Sequence, residues 1–361
     1  MKDKIGIGFI GTGFARQTQM PGFRDCEGAE LVSVSSGHIV NAREAAKEFG
    51  ISHVAEEWRE TVDHEDVDLV CITTPPVLHH EMAMYAIERG KHILCEKPMA
   101  MNSEESLEMA EAAEKAGVMA LIDHELRFLN GRKLAFDMLR NGELGKVIHA
   151  KSAFRNASRG NPDLKWNWWS DNSKGGGALG AIGSHAIDGF RWLLGTEVSE
   201  ISCLLKTNIK ERRDADGEIR PVTSDDECNF MLRFEDSDLT KEASGTGSFS
   251  MVEIGKYDFW MEIYGTEGSL IIGEKDRLEV ARQGESSFTE IDTKPGKAPE
   301  GTREGGWSIG FLAFAKEIVG ALREGRTEIE SAATFRDGHE VQKVLDAARR
   351  SDESGCRERV S

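Results

Sequence analysis

Apolar and polar positions along the first third of the chain follow a repeating strand–helix rhythm. Apolar runs at 4–10, 30–35, 67–73, 91–94 and 118–122 read as buried strands. The stretches at 15–23, 41–49 and 78–88 read as intervening helices. Asn102-Ser103-Glu104-Glu105 supplies a start for a further helix, and Gly117 closes it. Short strands alternating with helices imply a parallel sheet covered on both faces. After about residue 124 the pattern changes. A helix at 131–140 is followed by alternating runs at 147–154, 198–207, 228–234, 247–252, 259–264, 269–272 and 278–281, and by two helices near 309–322 and 331–350. This half predicts an α+β domain with a large, mostly antiparallel open sheet. The charged stretch 210–226 reads as an exposed excursion between strands.

At 361 residues the chain exceeds one ordinary core, so two domains are expected, 1–123 and 124–361. The 63 acidic residues outnumber the 45 basic ones, leaving a net charge of −18. Such a field repels nucleic acid and anionic membrane, and neither is expected as a partner. No apolar run approaches the length of a membrane span. Met1-Lys2-Asp3-Lys4 enters the first strand at once, which argues against a signal peptide. The six cysteines are scattered with no Cys-x-x-Cys pair, so a reducing, cytoplasmic setting is expected, with neither disulfides nor metal. The pair Asp225-Asp226, with no third ligand nearby, reads as a turn.

Two motifs point to chemistry. The first apolar strand runs into Gly11-Thr12-Gly13, a turn that lets backbone approach a pyrophosphate, and Phe14 follows it. The third glycine of that fingerprint is replaced by Arg16. Downstream, Cys95-Glu96-Lys97-Pro98 places a lysine just past a buried strand, where open α/β sheets bind ligands. Beside an oxidised nicotinamide a lysine meets a like charge, which favours its neutral, proton-accepting form. The second strand ends in Ser35-Ser36-Gly37-His38 without the carboxylate that would repel a 2′-phosphate. That tilts the cofactor toward NADP, with NAD remaining possible. Thr73-Thr74-Pro75-Pro76 ends another strand, and its hydroxyls can reach ribose or phosphate. His79 starts the next helix, where nearby backbone can satisfy its ring.

Further along, His185 and Asp188 share one helical face, so the carboxylate can orient the imidazole; the alternative is a core histidine with a dipole-stabilising acid. Trp168 and Trp169 offer faces for sugar stacking, or else form a buried wall or subunit contact. Arg127, His124 and Glu125 follow the last parallel strand and are expected at the cleft.

These stretches, with Arg127-Phe128, Gly175-Gly176-Gly177, Gly183-Ser184-His185 and Tyr264-Gly265-Thr266-Glu267-Gly268-Ser269, resemble the glucose–fructose oxidoreductase, inositol dehydrogenase and MocA-like family over nearly the whole chain. The resemblance implies an α/β Rossmann domain followed by an open-sheet domain whose sheet pairs subunits, giving a homodimer or homotetramer. It implies NAD(P)-dependent hydride transfer to or from a sugar or polyol. Lys97, Arg127, Trp168, Trp169 and His185 would meet the substrate, and Lys97, His185 and Asp188 would carry catalysis. Gly11, Thr12, Gly13, Phe14, Ser35, Ser36, His38, Thr73, Thr74, Pro75, His79, Glu96 and Lys97 would meet the cofactor. Many relatives carry an aspartate where this chain has Ala181. That departure leaves open a glycosidase that oxidises its sugar transiently, besides a non-catalytic cofactor-binding regulator.

Overall fold

The computed structural model describes residues 2–255, 257–302 and 304–361. It divides into two compact units, each with its own sheet. The first unit holds β1 (Ile5–Ile10), β2 (Ala29–Ser35), β3 (His53–Val54), β4 (Leu69–Ile72), β5 (His92–Cys95) and β6 (Ala120–Ile122). All pair in parallel, in the order β3-β2-β1-β4-β5-β6. Between them run α1 (Met20–Arg24), α2 (Ile39–Phe49), α3 (Trp58–Asp63), α4 (His79–Glu88) and α5 (Ser103–Ala116). Every residue of β1 and β4 is buried, as strands covered on both faces must be. Strand order reverses between β1 and β4, and their carboxyl ends open the crevice where this fold binds ligands.

The second unit contains α6 (Asn130–Arg140), β7 (Val147–Arg155), α7 (Ser184–Leu194), β8 (Val198–Lys206), β9 (Glu211–Arg213) and β10 (Ile219–Pro221). Strands β11 (Glu227–Phe234), β12 (Thr240–Ser250), β13 (Asp258–Gly265), β14 (Gly268–Ile272), β15 (Leu278–Arg282), β16 (Thr289–Ile291) and β17 (Glu358–Arg359) follow. The large sheet has the order β16-β15-β14-β13-β7-β12-β11-β8-β17, antiparallel throughout except for β7 beside β12. One face is apolar and covered by α7: Phe190 meets Phe234 edge-on, and Gly189 leaves room for Met261. Residues 210–226, expected to be an exposed excursion, form the β9–β10 hairpin and tuck Arg212 inward. Its guanidinium donates to the Asn161 carbonyl at 2.6 Å and the Arg159 carbonyl at 2.5 Å, which ties down the preceding loop.

Helix α8 (Gly306–Arg323) returns to the first unit, and α9 (Phe335–Ser354) begins there and ends in the second. The first unit therefore comprises Met1–Ala100, Glu104–Leu129 and Gly296–His339. The sequence predicted one cut between 123 and 124. The return has an apolar cause: Phe311, Phe314, Ala315 and Ile318 complete a core with Phe9, Phe23 and Phe128. Phe128 and Phe314 stack with centroids 4.3 Å apart.

Candidate active site

In the first unit, Gly11 makes the turn at the end of β1. Its N–H donates to the Ser35 carbonyl at 2.9 Å, and Thr73 N–H donates to the Ile10 carbonyl at 2.8 Å. Gly11 has φ +100°, and a Cβ there would stand 2.7 Å from the Thr73 carbonyl oxygen, so only glycine fits. At Gly13 an added Cβ would meet no atom within 4 Å, and the residue is exposed. A nucleotide pyrophosphate fits this arrangement: a tight turn, an open glycine, and a helical segment beginning at Ala15. Phe14, half-buried, precedes that segment. Arg16, at the position of the missing third glycine, turns to Glu44 and Glu48 of α2 at 3.0 and 2.6 Å.

At the end of β2 the two serines diverge. Ser35 is buried, its hydroxyl 3.4 Å from the Phe9 carbonyl, while the Ser36 hydroxyl lies 3.2 Å from that of Thr12. His38 is exposed at the start of α2, whose first turn carries no acid. After β4, Thr73 Oγ1 donates to the Ile10 carbonyl at 3.2 Å, and Thr74, Pro75 and Thr73 stay half-buried. His79 is wholly enclosed. Its Nε2 lies 2.8 Å from the Thr74 carbonyl and its Nδ1 3.1 Å from that of Pro98, so the ring sits between the Thr74 turn and the turn carrying Lys97, and as neutral imidazole it donates to one of the two. Burial pushes its pKa down.

Lys97 follows β5, half-buried, with a cis peptide to Pro98. Glu96 before it is buried, and Gln19 Nε2 donates to Glu96 Oε1 at 3.1 Å and to Asp123 Oδ2 at 2.7 Å. Burial pushes both carboxyls above the usual range. For Asp123 the neighbouring Glu125 and Glu96 charges push further. Arg127 is buried, with Nη2 3.4 Å from Asp337 Oδ1. Sequence reasoning missed Gln19 and Asp123. The available signal was register: Cys95 pairs with Ile122, so the residues that follow them are neighbours.

In the second unit, His185 and Asp188 lie in the first two turns of α7 and are both buried. A π-helical turn, Leu179–Gly183, leads into the helix and contains Ala181. This entry is anchored by Asp225, whose Oδ2 accepts from Leu179 N–H at 2.8 Å. A Cβ on Gly177 would stand 2.2 Å from Asp225 Oδ1, and one on Gly176 would stand 2.4 Å from the Trp169 carbonyl oxygen. The Gly175–Gly177 run is thus a steric requirement for seating α7. Asp225 and Asp226 are structural anchors: Asp226 accepts from the backbone N–H groups of Asn208 and Ile209. Trp168 and Trp169 are half-buried with centroids 5.2 Å apart, and Arg159 stacks over Trp169 at 4.6 Å.

Residues 5–124 match an oxidoreductase family with an NAD-binding Rossmann fold, and residues 133–271 match the GFO/IDH/MocA C-terminal domain. An uncharacterized oxidoreductase of Synechocystis is 33% identical over 271 residues, covering 74% of this chain and 71% of its own. Levoglucosan dehydrogenase of Pseudarthrobacter phenanthrenivorans is 32% identical over 340 residues, covering 85% and 83%. Among solved structures, levoglucosan dehydrogenase in complex with NADH and L-sorbose has a TM-score of 0.88 at 27% identity, with 99% of each chain covered. An oxidoreductase domain protein from Kribbella flavida has a TM-score of 0.87 at 28% identity over the same shares. Two matched domains, the strand order and these relatives agree: the chain belongs to the GFO/IDH/MocA family of oxidoreductases.

Proposed function

We propose that the protein is a nicotinamide-dependent dehydrogenase or reductase acting on a secondary alcohol, or the matching ketone, of a sugar, anhydrosugar or polyol. The observation that carries this reading is the placement of Lys97 at the carboxyl end of β5, on the same sheet edge as the Gly11 turn. Gly11, Thr12, Gly13 and Phe14 would hold the pyrophosphate, and Thr73, Thr74 and Pro75 would border the nucleotide. The bound cofactor supplies the hydride-accepting ring. Lys97 takes the proton of the reacting hydroxyl in oxidation and returns it in reduction. His185 serves as the acid–base partner, with Asp188, three residues on, orienting its imidazole. Trp168 and Trp169 contribute stacking faces to the sugar ring.

The end of β2 carries no carboxylate, and Ser36 and His38 offer donors. NADP is therefore accepted at least as well as NAD. Leu204 and Met231 stand exposed on one face of the large sheet, as a surface paired with a second copy requires. Light scattering of the native protein against Met231→Asp tests that pairing.

The functional test uses purified protein, NAD or NADP, and a panel of sugars and polyols including levoglucosan and L-sorbose. Turnover is followed at the nicotinamide absorbance band. The expected result is reduction of cofactor by at least one substrate, abolished in Lys97→Ala and His185→Ala with cofactor binding retained. Failure of the parent protein to bind either nucleotide would overturn the reading.

A further inference from the structure

Behind the proposed proton-transfer lysine the first unit buries an acidic pair. Strands β5 and β6 are paired with Cys95 beside Ile122, and Asp123 N–H donates to the Cys95 carbonyl at 2.8 Å. The side chains of Glu96 and Asp123 are thereby brought together, and one amide nitrogen, Gln19 Nε2, reaches an oxygen of each, at 3.1 and 2.7 Å. Two ionised carboxyls side by side in a dry interior repel each other, which favours keeping one proton on the pair. Gln19, from the helical segment after the glycine turn, spends both amide hydrogens on this pair. Asp123 and Gln19 are fully buried, and Glu96 is nearly so.

The charged and titratable groups facing the pair are few. Lys97 lies beside Glu96, Glu125 approaches from the short helical turn after β6, and the thiols of Cys71 and Cys95 lie beneath. Lys97 favours ionisation of Glu96, whereas Glu125 disfavours ionisation of Asp123. The two neighbours thus pull the pair in opposite senses and settle which member keeps the proton.

We propose that Asp123 carries the proton and Glu96 the charge of this pair, and that Gln19 locks it in register, so that Lys97 works beside one anion rather than two or none. Glu96, Asp123 and Gln19 are then positioning residues that set the pH range over which Lys97 exchanges its proton. This inference rests on the proton-transfer role proposed for Lys97.

The consequence is a difference between two isosteric substitutions. In Asp123→Asn the amide donates to Glu96 and accepts from Gln19, as the protonated acid does. The pH midpoint of kcat/KM for oxidation therefore stays where it is. In Glu96→Gln the anion that favours the ammonium form is lost, and the midpoint moves to lower pH by about one to three units. Asp123→Ala weakens turnover through misplacement of Glu96, and Asn at the same position restores it. An infrared difference spectrum, Asp123→Asn minus parent at neutral pH, loses the carbonyl band of a protonated carboxylic acid. If Asp123→Asn instead lowers the midpoint as Glu96→Gln does, or no such band is lost, Asp123 is ionised and the proposal fails. The infrared measurement needs no turnover. A parent protein inactive on every sugar would therefore sink the functional reading while the shared proton was still decided.

Discussion

Asp225 anchors the entry to α7, and its ionisation works against the fold. The side chain accepts from Leu179 N–H at 2.8 Å, and burial lifts its pKa to about 6 from an ordinary 3.8. The folded state thus holds a proton more tightly than the unfolded chain does. For an acid raised in this way, stability is lost as pH climbs. The ionised group costs nothing below about pH 4, the cost grows between pH 4 and 6, and it is full above that. The shift corresponds to about 3 kcal/mol. Because the residue is only half-buried, water reaching the carboxylate reduces this to about 1–3 kcal/mol. Asp225→Asn keeps an acceptor for Leu179 N–H and removes the charge. The variant should be more stable than the parent by that amount at pH 7.5 and equal to it near pH 4. Urea unfolding followed by tryptophan fluorescence reads this, since Trp166, Trp168 and Trp169 lie in the same unit. The parent-to-variant difference cancels the other titrating groups. A pH-independent difference, or a variant less stable at pH 7.5, would refute the reasoning.

Three further outcomes follow from the geometry. Gly11→Ala puts a Cβ 2.7 Å from the Thr73 carbonyl at φ +100°, and should weaken nucleotide binding at least tenfold by calorimetry. Phe311→Ala empties the contact with Phe23, whose ring centroid lies 5.4 Å away, and should cost the first unit about 3–5 kcal/mol in denaturant unfolding. His79→Phe removes the ring N–H that donates to one of the Thr74 and Pro98 carbonyls. It should cost about 1–3 kcal/mol and lower kcat by loosening the lysine turn, while far-UV circular dichroism stays unchanged.

The parallel half of the fold was legible because most of its strands are short, mainly apolar and punctuated by helices. Elements without that contrast escaped. β3 has only two residues, and α3 carries few apolar positions. β12 begins at Thr240, seven residues before the apolar signal. Its second and third residues, Lys241 and Glu242, are exposed, and Glu242 takes a positive φ where the pairing with β7 slips. The return of α8 was illegible for another reason: an amphipathic helix declares that it needs a partner but not which sheet supplies one. Only the ring contacts of Phe311 and Phe314 decide it.

The candidate site divides along the same line. Residues at the ends of strands, Gly11, Thr73 and Lys97, were readable because chain position and position on the sheet edge coincide. Residues that act sideways were not: Gln19 and Asp123 were missed, and Glu96 was read only as a cofactor contact. Gln19, Glu96 and Asp123 are far apart in sequence, and only register and the fold of the Gln19 segment bring them together. Two neighbouring parallel strands that each end in an acid place like charges side by side in a dry interior, and that arrangement is unstable unless something compensates. The compensations here are an amide that binds both carboxyls, a cation at one side and, as proposed above, one proton kept on the pair. A lysine at a strand end could be a surface residue; one whose neighbours include a buried carboxyl pair is fixed in charge environment as well as in place. That second property is invisible to motif reading, and on the role proposed for Lys97 it is the one that the Glu96→Gln and Asp123→Asn variants measure.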